Sequence, residues 1–152
     1  MKLKNTSVYL LAGWMLAACS GGGFQKTENG VVVEVKQQQP TDVRKVRLEV
    51  MGEKLIHVSA TPEKEFSKEQ SLIVIPQQNK TDFKVEEQGD EVTVKTSELC
   101  VIVSKTTGEV RFTDADGKQI LAEDSDGRTF TPVEVEGTKR IYSTSSIPVG
   151  RQ

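Results

Sequence analysis

The sequence is poor in aromatic residues, in histidine and in net charge. Phe, Trp and Tyr make up 5% of 152 residues. The only Trp, Trp14, lies in an N-terminal apolar segment, and past residue 23 the only Tyr is Tyr142. Domains that bind sugars alone commonly stack the rings on rigid Trp or Tyr faces. This chain is poorly equipped to do so. A net charge of -2 supplies no basic surface for nucleic acid, which needs clustered Lys and Arg. The single histidine, His57, has no second His and no nearby Cys, a weak basis for a metal site. Between Ile56 and Val58 it points outward or half-buried, as a structural side chain. A glycine-rich phosphate loop, a nucleophile elbow and a CxxC pair are all missing, so no cofactor is expected. Carboxylates are plentiful, but sequence alone cannot pair them into an acid/base couple, so no catalytic residue is assigned.

What is present falls into two different polymers. The first nineteen residues, "MKLKNTSVYLLAGWMLAAC", carry Lys2 and Lys4 and then an apolar run from Val8 to Ala18. That run is too short for a spanning helix, which takes ~20 apolar residues. Basic start, apolar middle and small residues at the end make a secretory signal. Residues 20–23, "SGGG", form a flexible tether of the kind that holds a domain off a surface. The expected organisation is a signal peptide over 1–18, Cys19 and tether over 19–29, one folded domain over 30–143 and a tail over 144–152. A chain of this length allows about one domain. Cys100, in the strand-like "SELCVIVSK", reads as a small buried hydrophobe.

From residue 31 the chain alternates with period two. "VVVEVK", "KVRLEV", "LIHVSA", "FKVEE", "EVTVKT", "LCVIVSK", "EVRFTD", "KQILAE", "FTPVEVEG" and "RIYSTS" are β-branched or alternating and are separated by Gly, Asp or Asn. "SLIVIP" (71–76) is continuously apolar and reads as a strand buried on both faces. Only "TPEKEFSKEQ" (61–70) could hold a helical turn. About ten short strands with tight turns predict an all-β antiparallel sandwich or barrel. Phe66, Phe83, Phe112 and Phe130 are expected mostly in the core.

One stretch, "GEVRFTDADGKQILAE" (108–123), invites a metal reading. Asp114, Asp116, Gly117 and Glu123 match the third, fifth, sixth and twelfth places of a calcium loop. The first place is Phe112, which offers no side-chain oxygen, and the flanks are strand-like where helices are required. Asp116-Gly117 between two such runs predicts a hairpin turn. "DSDGR" (124–128) fails the same template and reads as a turn too.

Two resemblances add to this reading. Leu16-Ala17-Ala18-Cys19 resembles the lipobox of bacterial lipoproteins, which implies removal of 1–18, lipid attachment at Cys19 and a lipid-anchored place in the bacterial cell envelope, at the outer membrane. The runs "VRKVRLEVMGEKLIHVSATP" (43–62), "SLIVI" (71–75), "FKVEEQGDEVTVKTSELCVIVSKTTGEVRFTDADGKQILAE" (83–123) and "GRTFTPVEVEG" (127–137) resemble the N-terminal domain of glycoside hydrolase family 31. The nearest members are lipoprotein α-xylosidases and α-glucosidases. The resemblance implies a galactose-mutarotase-like β-sandwich that partners a catalytic (β/α)8 barrel bearing two aspartates. A barrel takes ~250 residues, so those aspartates have no counterpart in this sequence, and the chain reads as the accessory part without its catalytic domain. The polysaccharide would then be met through the barrel and the membrane through the lipid. The alternative is a small surface lipoprotein that binds a glycan or a protein, and a calcium-dependent module ranks third.

Overall fold

The computed structural model describes residues 23–68, 80–124 and 128–146. Among them the chain is built from eleven strands: β1 (Phe24–Lys26), β2 (Gly30–Glu34), β3 (Lys45–Gly52), β4 (Leu55–Thr61), β5 (Lys84–Gln88), β6 (Glu91–Lys95), β7 (Leu99–Ser104), β8 (Val110–Asp114), β9 (Gln119–Ala122), β10 (Arg128–Val135) and β11 (Thr138–Ser145). Within each sheet, strands that follow one another in sequence pair antiparallel. The result is one sheet ordered β1-β2-β3-β4, one ordered β5-β6-β7-β8-β9, and a separate β10-β11 ribbon. Short turns between alternating runs favour such meanders, because neighbours in sequence can pair at once.

The alternation sets the layers. In β3, Val46, Leu48 and Val50 face in while Lys45, Arg47 and Glu49 face out. In β6, Val92 and Val94 face in and Glu91, Thr93 and Lys95 face out. The inner faces of both sheets join in one cluster of Val31, Val33, Val46, Leu48, Val50, Ile56, Val92, Val94, Val101, Val103 and Val110, which Phe130 enters from β10. This is the sandwich that period two predicted. The core is almost all valine, which suits strands because branched side chains pack well on a pleated surface. Gly30 is required by close approach: a Cβ there would run into the Leu48 carbonyl oxygen of the paired strand.

Several expectations change. The tether expected over 19–29 is shortened, because Phe24, Gln25 and Lys26 pair with Val33, Val32 and Val31 as β1. Residues 61–68 hold no helical turn; β4 runs to Thr61 and the rest is irregular. Phe130 is in the core and Phe83 and Phe112 pack on its margin, but Phe66 is not part of it. Phe66 instead lies against the outward Arg47, 4.6 Å from guanidinium carbon to ring centre. Cys100 is half-buried rather than buried. Val101 and Val103 take the inner face, so Cys100 falls on the outer face, opposite Lys95 on one side and Thr113 on the other. The signal, Cys19, "SLIVIP" and the middle of "DSDGR" lie outside the described residues.

Candidate functional site

The calcium template resolves into a turn. Asp114 Oδ1 accepts the backbone N–H groups of Asp116, at 3.1 Å, and Lys118, at 2.8 Å. Gly117 sits at φ 86°, which a residue without Cβ adopts freely. Glu123, the would-be twelfth ligand, is turned elsewhere. Its Oε2 accepts the Val110 N–H at 3.0 Å, and its Oε1 accepts the Ser145 hydroxyl at 2.8 Å and pairs with Arg128. Glu123 thus ties β8, β10 and β11 together at the base of the ribbon. Sequence reading saw this residue but gave it no such role, since its partners lie up to 22 positions away. Arg128 is held on one side only: its Nη2 meets Glu123, while Nη1 is buried without a hydrogen bond.

Beside this junction is a polar cleft of about 590 Å³. Its walls come from the β2–β3 connection (Val35 to Val43), the β7–β8 turn (Thr106 to Glu109) and the first half of β10 (Arg128 to Pro132). Among the described residues that line it, the only aromatic one is Phe130, which is already committed to the core. It therefore offers a sugar ring no free stacking face.

His57 behaves as a structural side chain. Its Nδ1 lies 3.0 Å from Glu49 Oε2, across the β3–β4 pair where the two residues stand opposite. Arg47 Nε lies 3.4 Å from the same oxygen without a hydrogen bond of its own. Arg47, Glu49, His57 and Phe66 thus form a patch on the outer face of the first sheet that pins the chain after β4. On the second sheet's outer face, Lys95 donates to Glu86 at 2.9 Å. That hydrogen bond holds the Glu86 carboxyl below its ordinary value and raises the Lys95 ammonium above its own. Among the described residues, no group of three or more His, Cys, Asp or Glu is placed to hold a metal. No helix among them is long and apolar enough to cross a membrane.

The fold and its ties define a β-sandwich module, and comparison says of which class. The model of the glycosyl hydrolase 31 N-terminal galactose mutarotase-like domain matches residues 45–151. The chain belongs to that family. Among solved structures it is similar to the GH31 α-xylosidase of Xanthomonas citri, with 36% identity and a TM-score of 0.75, over 83% of this chain and 13% of that one. A GH31 α-xylosidase from a soil metagenome, complexed with xylose, shares the fold at 20% identity and TM-score 0.57, over 73% of this chain and 18% of that one. A Listeria monocytogenes protein solved with glucose, magnesium and calcium shares it at 17% identity and TM-score 0.55, over 71% of this chain and 10% of that one. The chain thus spans less than a fifth of each of these proteins.

Proposed function

We propose that this chain serves as the accessory N-terminal domain of an α-glycosidase acting on α-linked xylosides or glucosides, and that it breaks no glycosidic bond itself. The 36% identity to the Xanthomonas citri α-xylosidase over 83% of the chain carries this reading. Retaining hydrolysis of this kind uses a carboxylate nucleophile and a carboxylic acid ~5–5.5 Å apart. Three carboxylates are engaged in structural ties: Glu123 with Arg128 and the Val110 N–H, Asp114 within its turn, and Glu49 with His57. The partner is the catalytic barrel, and the polysaccharide is met there. By the lipobox resemblance, Cys19 carries lipid and holds the domain at the outer membrane of the bacterial envelope.

The test is a chimera in which residues 45–151 replace the matching stretch of the Xanthomonas citri enzyme. It should hydrolyse an aryl α-xyloside, while the present chain alone should not. A folded but inactive chimera counts against the reading. So does turnover by the isolated chain that is lost when one Asp or Glu is replaced. For the anchor, a fatty-acid probe should label the wild type in cells and not Cys19→Ala; equal labelling would remove the claim.

A further inference from the structure

The turn between β1 and β2 holds a covalently reactive pair. The chain has three asparagines, Asn5, Asn29 and Asn79. Thr6 and Lys80 follow the first and the last, and Gly30 follows Asn29. The side-chain carbonyl carbon of an asparagine can be attacked by the backbone nitrogen of the next residue. A side chain on that next residue obstructs the approach, and Gly30 has none. The glycine is also fixed by packing, because a Cβ there would run into the Leu48 carbonyl oxygen. Tight pairing of β2 on β3 therefore keeps the reactive neighbour in place.

The turn leaves the reacting groups within reach of each other and of water. Asn29 is exposed. Among the described residues its side-chain amide takes part in no hydrogen bond. Its backbone carbonyl accepts the Val50 N–H at 2.7 Å. Hydrogen-bonded and non-hydrogen-bonded pairs alternate along an antiparallel ladder. The next pair, Gly30 with Glu49, is thus a non-hydrogen-bonded one, and the Gly30 N–H is not tied to β3. Asp116-Gly117 has the same spacing and is closed off. The Gly117 N–H donates to the Asp114 carbonyl at 3.1 Å.

We propose that Asn29-Gly30 is a deamidation site of the folded chain. The Gly30 nitrogen gives its proton to water and bonds to Asn29 Cγ. Nδ2 leaves with a proton gained from water, as ammonia, and a five-membered succinimide remains. Water then opens that ring at either carbonyl. Breaking the new Cγ–N bond leaves aspartate. Breaking the original C–N bond leaves isoaspartate, in which the chain runs through Cβ and Cγ and is one atom longer. In balance, one water is consumed and one ammonia is released. Aspartate adds a negative charge beside Glu28 and keeps the backbone. Isoaspartate turns the carbonyl that held Val50 into a carboxylate and moves Gly30 from its place against Leu48. Isoaspartate therefore loosens the β2–β3 pairing at this end, and aspartate does not. This inference is independent of the accessory-domain reading.

The test incubates the full chain in warm, mildly alkaline buffer beside a synthetic peptide of residues 27–36. Trypsin cuts after Lys26 and Lys36, so the same peptide is recovered from the chain and weighed. Asn29 in the folded chain should convert within about tenfold of the rate in the free peptide. Labelling by an isoaspartyl methyltransferase should fall on that peptide. Asn29→Gln should show neither the mass gain nor the label there, because its ring would be one atom larger and closes far more slowly. In freshly made Asn29→Asp the Val50 amide should exchange as in the wild type. In the isoaspartate fraction it should exchange at least about tenfold faster. Conversion slower than that limit would show that the fold shields the pair, and the proposal would be overturned. Conversion appearing first at Asn79 would overturn it too, as would unchanged Val50 exchange in the isoaspartate fraction.

Discussion

The sandwich and the β10–β11 ribbon are written in the same residues and end in different states. β3 and β6 alternate valine or leucine with polar residues, and so does β10 with Val133 and Val135. In β3 and β6 the apolar positions are buried, because a second sheet lies over them. In β10 the same pattern, past Phe130, stays exposed. Period-two patterning states which face wants cover; it does not supply the cover. Among the described residues the ribbon shows the pattern without cover, and the sandwich shows it with cover.

The widest separation between the two regions should appear on side-chain removal. Leu48 is fully buried between the sheets. Leu48→Ala should destabilise the chain by about 2–5 kcal/mol, from lost transfer energy and the cavity left behind. Tyr142→Ala, on the exposed ribbon, should change stability by less than about 0.5 kcal/mol. Urea unfolding of the two variants measures both. If Tyr142→Ala matched Leu48→Ala, the ribbon would be as well packed as the sandwich and the contrast would be lost.

A second test asks how tightly the sandwich is built. At Gly30 an added methyl would meet the Leu48 carbonyl, which is main chain and cannot rotate away. Gly30→Ala should cost about 1–3 kcal/mol or more, as overpacking does. An unchanged thermal midpoint would mean β2 and β3 have room to separate. The ribbon offers no comparable tightness: Gly137, at its turn, has open space where a Cβ would go.

How much of this was legible in the sequence follows from the range of each interaction. The hairpin at Asp116-Gly117 was legible because its cause is local: a carboxylate bonding N–H groups two and four residues on, and a glycine at positive φ. The inward valines were legible because alternation is local as well. Cys100 was misplaced because "LCVIVS" is apolar on both phases, so sequence alone could not choose which residues face in. Phe66 was assigned to the core because aromatics usually go there; its actual partner, Arg47, stands nineteen positions earlier across β3 and β4. Glu123 shows the same limit. Its role depends on Ser145 and Arg128 converging on it from a different sheet. The strand Phe24–Lys26 was hidden by the glycines before it, whose composition suggests a tether.

The junction itself should give an intermediate effect. Glu123→Gln keeps the shape but removes the charge that holds the buried Arg128, whose Nη1 already has no hydrogen bond. Leaving a buried donor poorly satisfied costs about 1–3 kcal/mol. The loss should fall first on the ribbon. Amide exchange in β10 and β11 should quicken at mild denaturant while β3 and β6 stay protected. Uniform loss across both regions would show that ribbon and sandwich unfold as one unit, and would dissolve the distinction between them.

The smallest effect expected is on acidification, and it belongs to the sandwich alone. Asp90, in the β5–β6 turn, accepts hydrogen bonds from the Thr106 N–H and the Ser104 hydroxyl, both at 3.2 Å. The Thr106 hydroxyl beside it, ahead of the Ser104 hydroxyl and the Thr106 N–H, holds its carboxyl below the ordinary 3.8, against an opposing push from burial. A carboxyl depressed in the folded state favours folding once the pH is above the unfolded value, and that support is lost as pH falls through the folded one. Full support is therefore expected above about pH 4 and a decline below it. The group is almost wholly exposed, so solvent screening keeps the contribution under about 1 kcal/mol. Asp90→Asn should flatten part of the acid limb of stability below about pH 4, without changing stability near neutral pH by more than that amount. Because Asp90 bridges β6 to the β7–β8 turn, the change should be seen in the amides of Ser104 to Thr107 and not in the ribbon. An equal response in β10 and β11 would mean that the turn and the ribbon are coupled across the cleft that lies between them.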